Sequence, residues 1–363
     1  MRIHDLSAGD GVLSRVAEVA RAALGRYRLS PAATAELINV SENATFRVLD
    51  PESGERAILR VHRLGYHSRA AIESELDWLS ALRRDEGVTT PRVLPAADGG
   101  RTVIVPDPYG GPARTCVLFE FLPGAEPGEE RLAADFERLG EVTARMHRHA
   151  RRWRAPAGFT RFHWDHDAAL GREARWGRWQ DGAGVHGEAR AVLGRLDAAL
   201  RARLARAGTG PDRYGLIHAD LRLANLLVAG DAPPSVIDFD DCGYGWYLYD
   251  LAAALSFIEH HPLVPELIDA WARGYRTVAP LPDAGAADIW TFIMFRRLML
   301  VAWIGSHPAA GAARELGAGY TEQSCALAER YLAGEFAVTQ AVTQAVTRAV
   351  TRAVGTAVTR EIG

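Results

Sequence analysis

The sequence predicts an α+β chain in two lobes: a small one with an antiparallel sheet plus a helix, then a larger, mostly helical one. Three observations carry this. Short β-rich runs parted by turn residues fill 36–61, and apolar positions at helical spacing dominate beyond residue 130. Between them lies a Pro/Gly-rich link, Leu122-Pro123-Gly124-Ala125-Glu126-Pro127-Gly128. The expected organisation is one lobe over 1–121, a second over 122–335, and a low-complexity tail over 336–363.

The elements follow in order. Residues 8–25 carry Val12, Leu13, Val16, Val19, Ala20, Ala23 and Leu24 at helical spacing and stop at Gly25, which predicts an amphipathic helix. Residues 36–40, 45–49 and 57–61, parted by Ser41-Glu42-Asn43-Ala44 and by Pro51-Glu52-Ser53-Gly54, predict a three-stranded meander. A helix over about 67–84 puts Ile72, Leu76, Leu79 and Leu82 on one face. Two more strands are expected at 102–105 and 115–121. Beyond the link, helices are expected at about 130–152, 187–206, 247–260, 264–277, 285–304 and 312–333, with a β-hairpin between the second and third. The tail repeats Ala-Val-Thr-Gln or Ala-Val-Thr-Arg; a period of four drifts against 3.6 residues per turn, so a frayed helix or disorder is expected there.

Composition sets outer limits. The chain has 363 residues, 48% of them apolar and 24% charged, with a net charge of -3, which argues against a general nucleic-acid binder. Cys116, Cys242 and Cys325 have neither disulfide nor metal-ligand spacing, and the polar N-terminus lacks a signal-type apolar segment; both suit the cytoplasm. The longest apolar stretch, 291–305, is interrupted by Arg296 and Arg297, so no membrane span is expected. Every basic residue counted is arginine, so any task that needs a lysine falls to a guanidinium.

The chemistry is concentrated in His218-Ala219-Asp220-Leu221-Arg222-Leu223-Ala224-Asn225, followed after a short apolar run by Asp238-Phe239-Asp240. Leu226-Leu227-Val228 and Val236-Ile237 flank the turn Ala229–Pro234, and such a hairpin brings Asn225 and Asp238 to the same end. A carboxylate base, an amide five residues on and a second carboxylate are what phosphoryl transfer from ATP requires: one Asp orients the attacking hydroxyl and takes its proton, and an Asn and an Asp hold Mg²⁺. By itself His218 fits a hydrogen-bonded structural histidine.

These residues, with Gly243-Tyr244-Gly245-Trp246-Tyr247-Leu248-Tyr249-Asp250-Leu251-Ala252 and the Leu139-Gly140-Glu141 to Met146-His147 helix, resemble the aminoglycoside phosphotransferase and choline kinase-like family. The wording is closest to its bacterial stress-response kinase and homoserine kinase-like branch. The resemblance spans about 35–330 and implies a bilobal protein-kinase-like fold. It implies Asp220 as base, Asn225 and Asp238 as Mg²⁺ ligands, and Arg60 in place of the phosphate-contacting lysine. Glu75 is then its ion-pair partner, ahead of Glu73. Asn43, in a loop without glycine, is a candidate phosphate contact, and Glu120, Phe121 and Leu122 offer backbone groups for adenine. Asp241, Trp246 and Tyr247 should face the acceptor, with His218 and Asp240 either beside it or structural, and Asp250 should brace the loop. Arg222 either stabilises phosphoryl charge or lies on the surface. Residues 159–180 form either a helical insertion with buried tryptophans or an acceptor wall; a metal site at His163 and His166 is not expected. The implied activity is an ATP-dependent kinase acting on a hydroxyl of a small molecule or of protein Ser/Thr. A catalytically silent pseudokinase, motivated by Arg60 and the glycine-free loop, is the alternative; a two-metal phosphohydrolase lacks the further His and Asp ligands it needs.

Overall fold

The structure is a computed structural model that describes residues 9–40, 43–230, 232–281 and 288–336. The repeat tail, and with it the expectation of fraying or disorder, lies outside the described residues.

The chain opens with α1 (Gly9–Leu24) and a sheet of β1 (Thr34–Val40), β2 (Ala44–Leu49), β3 (Arg56–Val61), β4 (Val93–Leu94), β5 (Val103–Val105) and β6 (Arg114–Glu120). The strand order is β1-β2-β3-β6-β4, with β5 also on β6, and every pairing is antiparallel. Alternation sets its faces: Ala44, Phe46 and Val48 are buried while Arg47 and Leu49 face out. The buried side meets Val16, Val19, Ala20 and Ala23 of α1. Between β3 and β4 runs α2 (Arg69–Glu86), capped by the Ser68 hydroxyl accepting from the Ala71 N–H and ended by Gly87 at φ 63. Its apolar face does not join the α1 core. Ile72, Leu76, Trp78, Leu79 and Leu82 pack into the second, larger core with Phe136 and Leu139.

That second core is helical: α3 (Leu132–Arg152), α4 (His166–Leu170), α5 (Gly187–Ala207), α6 (Leu248–Ala254), α7 (Val264–Val278), α8 (Ile289–Ser306) and α9 (Gly311–Leu332). Among them sit the short strands β7 (Tyr214–Ile217), β8 (Leu226–Leu227), β9 (Ser235–Val236) and β10 (Gly243–Trp246), paired β8 with β9 and β7 with β10. By length and composition α8 is apolar enough to cross a membrane, yet it is buried at the centre of the lobe, with Arg296 and Arg297 in internal ion pairs.

Three expectations change. The helix predicted over 247–260 ends at Ala254, because Phe257 takes φ 71, which a helix cannot continue through. The 159–180 stretch is mostly irregular, with α4 and a single 3₁₀ turn, and it buries Trp164, Trp176 and Trp179. The last helix is broken at Gly317, where φ is 46 and ψ -138.

Candidate active site

The loop after β7 is shaped from below. The two oxygens of buried Asp250 accept from the backbone N–H of Ala219 at 2.8 Å and of His218 at 3.1 Å, while His147 Nε2 holds one of them at 3.0 Å. Ala219 is thereby kept at φ 66, a backbone conformation that a non-glycine residue adopts only when its surroundings enforce it. His218 is fully buried; its Nδ1 accepts from the Asp220 N–H at 3.3 Å, so Nε2 carries the proton donated to the Ile237 carbonyl at 3.0 Å. It is a strut of the loop.

Asp220 emerges from this frame. Asn225 Nδ2 donates to its carbonyl at 2.8 Å and to its Oδ2 at 2.9 Å, which leaves the Asn225 amide oxygen as the atom available to a cation. The hairpin registers Leu226 with Val236, and the Ile237 N–H donates to the Asn225 carbonyl at 2.9 Å. Asp238 follows at φ 61, so Asn225 and Asp238 do sit at one end of the hairpin. Burial in the cleft and the neighbouring carboxylates of Asp240 and Asp220 push the Asp238 carboxyl upward against the pull of Arg60, a crowding of negative charge that a bound cation relieves.

Arg60 closes the other side. Its Nη1 lies 2.7 Å from Glu75 Oε1 and its Nη2 3.4 Å from Asp238 Oδ1. Glu73 is occupied elsewhere, by Arg101 and the Thr102 hydroxyl. Arg60, Asn43, Asp220, Arg222, Asp238, Asp240 and Asp241 all border one cavity of about 260 Å³, walled beyond the carboxylates by Trp176, Phe257, Leu300 and Trp303. The Asn43 amide oxygen accepts from the Arg63 N–H at 3.0 Å and so braces the strand end as well as facing the cavity. Arg222 lies at the open side with Nε 3.3 Å from Asp220 Oδ2.

Behind Asp238 the chain is clamped to the β3–α2 connection. Asp240 is buried, with His67 Nε2 at 3.4 Å and His62 Nδ1 at 3.6 Å from Oδ1; burial opposes its charge, but the two imidazoles outweigh it and hold the carboxyl well below the usual range. Asp241 accepts from the Tyr66 hydroxyl at 2.6 Å, and burial, with Asp220 and Asp240 nearby, pushes its carboxyl up to about 6.

Some expected residues lie elsewhere. Trp246 does not face this cavity: its indole donates to the Gly208 carbonyl, and with Tyr247 it lines a separate, mainly apolar cavity of about 440 Å³ beside α3 and α7. The strand β10 carries it away from Asp238. Neither Glu120 nor Leu122 borders the Asp220 cavity, and the Glu120 N–H donates to the Arg92 carbonyl while its carboxylate meets Arg92. His166 pairs with Asp197 and His163 with the Tyr214 hydroxyl; among the described residues no group of three His, Cys, Asp or Glu can hold a metal unaided.

One residue was missed. Arg296, read only as an interruption of an apolar run, donates from Nη2 to Asp220 Oδ1 at 2.6 Å. The available signal was a guanidinium in the most apolar helix, since a buried charge requires a partner.

The sequence pattern of the phosphotransferase enzyme family matches residues 34–287. A solved structure of a microcompartment-associated aminopropanol kinase is 51% identical, with a TM-score of 0.81, over 87% of this chain and 98% of that one. An uncharacterized protein of Deinococcus radiodurans is 31% identical over 77% of this chain and 79% of its own length. Amicoumacin kinase of Bacillus subtilis is 26% identical over 67% of this chain and 72% of its own.

Proposed function

As the chain belongs to the phosphotransferase enzyme family and is a kinase with an alcohol as acceptor, we propose that it moves the γ-phosphoryl group of ATP to the hydroxyl of a small amino alcohol. The observation that carries this is that Asp220, Asp238 and Arg60 border one cavity, with Asn225 bonded to Asp220 and Glu75 to Arg60 just behind its wall.

Each residue has a task in that reading. Asp220 orients the acceptor hydroxyl and takes its proton as the oxygen attacks the γ-phosphorus and the bond to the bridging oxygen of ADP breaks. Asn225 and Asp238 would hold Mg²⁺, a donor set that suits an ion which keeps waters and substrate phosphates as its other ligands. When bound, the ion neutralises phosphate charge. Arg60 is the phosphate anchor held taut by Glu75, and Arg222 at the open side adds a second guanidinium.

A small acceptor is supported by the cavity's dimensions and its wall of Trp176, Phe257, Leu300 and Trp303 beside the Asp241 carboxylate. Apolar faces next to one acid suit a short aliphatic ammonium. The likeness to an aminopropanol kinase points the same way. The reading places the protein in the cytoplasm, where ATP is at hand and Cys116, Cys242 and Cys325 remain thiols.

The test is ADP release with ATP, Mg²⁺ and a panel of 1-amino-2-propanol, ethanolamine, homoserine, aminoglycosides, macrolides and Ser/Thr peptides, with the ester identified by ³¹P NMR. Phosphorylated amino alcohol is the expected product. Turnover confined to aminoglycosides, macrolides or peptides would overturn the acceptor class, and no turnover with any alcohol would overturn the role of Asp220.

A further inference from the structure

Resting on the kinase reading of Asp220, we infer that Arg296 is the positioning residue that sets the orientation of the catalytic base. It sits in the middle of α8, 2% exposed, among Phe292, Met299 and Leu300. All of its donor groups are engaged. Nη2 donates to Asp220 Oδ1 at 2.6 Å, Nη1 to the Ala219 carbonyl at 3.2 Å and the Tyr249 hydroxyl at 3.0 Å, and Nε to the Ser256 hydroxyl at 3.0 Å. Its Cζ lies 4.7 Å from the centroid of the Trp176 ring, a wall of the acceptor cavity.

The contacts divide the base's carboxylate. Oδ1 accepts from Arg296 while Oδ2 accepts from Asn225 Nδ2 and Arg222 Nε, so the carboxylate plane is held from two sides. Arg222 cannot substitute, since it reaches the same Oδ2 from the open side with more than a third of its side chain exposed. The Ala219 contact matters as well, because that residue holds the left-handed conformation from which Asp220 is presented.

The experiment measures kcat and the acceptor KM, with the best acceptor from the screen, for the wild type, Arg296→Lys, Arg296→Met and Arg296→Ala, and ATP affinity by calorimetry. Misplacing the base lowers kcat by about 10²-fold in Arg296→Met, with ATP affinity unchanged. Arg296→Lys recovers part of the rate, and added guanidinium restores part of the loss in Arg296→Ala. In an Asp220→Asn background the Arg296 substitutions have little further effect, because the carboxylate they serve is gone. Should Arg296→Met not fold, Arg296→Lys and the guanidinium rescue decide alone. An unchanged kcat in a folded Arg296 variant, or an equal loss in the Asp220→Asn background, would overturn the inference while leaving the kinase intact. A wild-type protein inert toward every alcohol would instead overturn the reading beneath it.

Discussion

At the scale of single residues, the proposed phosphate anchor is the Arg60–Glu75 pair, in a chain that has no lysine at all. Glu75 is fully buried and Arg60 nearly so; removing one partner leaves the other charge desolvated, at a cost of about 3–5 kcal/mol. Arg60→Ala should raise the ATP KM strongly and lower kcat, and Arg60→Lys should recover only part, because a point charge cannot span Glu75 and Asp238 together. Steady-state kinetics of Arg60→Ala, Glu75→Ala and the double variant test this: the double loss should fall well short of the sum, and additivity would mean that the pair does not act as one unit. Asp241 supplies a pH dependence. Its carboxyl, pushed up to about 6, is neutral below that value where an ordinary aspartate is still charged. If it holds the acceptor's ammonium, the acceptor KM must rise as pH falls through about 6, and Asp241→Asn must remove that rise while raising KM throughout. A flat KM in the wild type would place the ammonium elsewhere. Residues such as Asp220, Asn225 and Asp238 were legible because their chemistry lies in local spacing along one loop and one hairpin. Arg296 was not, since 76 positions separate it from the base and only the three-dimensional path of α8 joins them. Trp246 was misplaced for the converse reason: nearness to Asp238 in sequence does not survive the turn into β10.

At the scale of elements, the helical pattern was legible wherever apolar periodicity ran uninterrupted, as in α3 and α7. What periodicity cannot report is how closely two helices approach. The crossing of α3 and α7 is made by glycines: a Cβ at Gly140 would run into the Trp271 carbonyl oxygen, and one at Gly274 into the carbonyl of Glu137. This close approach serves the site. It brings the Tyr275 hydroxyl within 3.2 Å of His147 Nδ1, and His147 in turn holds Asp250 beneath the catalytic loop. Gly140→Ala and Gly274→Ala should each cost about 1–3 kcal/mol through overpacking, seen as a melting temperature several degrees lower. They should also lower kcat although neither touches the cavity. Unchanged melting in both variants would mean that the two helices can part without penalty. The premature end of α6 was equally hidden, because a left-handed Phe257 has no signature in a phenylalanine.

At the scale of the whole molecule, the two hydrophobic cores are joined by polar contacts gathered on the site. Although α2 follows the sheet in sequence, its apolar face lies in the larger core, so Arg60 on β3 and Glu75 on α2 span the two. Tyr66 reaches Asp241, and His62 and His67 reach Asp240, from the same β3–α2 connection. Arg161 completes the clamp, donating to the carbonyls of Ala71, Asp240 and Cys242. A nucleotide held by Arg60 on one side and by Asn225 and Asp238 on the other therefore bridges both cores and binds only the folded arrangement. Mass action then stabilises the protein by about 2.7 kcal/mol at a ligand concentration a hundredfold above Kd. Thermal melting with ATP and Mg²⁺ should show a rise of several degrees that shrinks when the metal is chelated. Asp238→Ala should abolish the difference between the metal-loaded and chelated melts if its carboxylate is, as proposed, the charged ligand of the ion. Asp220→Asn should keep the full rise while losing about 10²–10⁴-fold in turnover, because the base acts on the acceptor and does not hold the nucleotide. If Asp238→Ala melts like the wild type under both conditions, the metal is held by other oxygens, and the end of the β8–β9 hairpin is not its site.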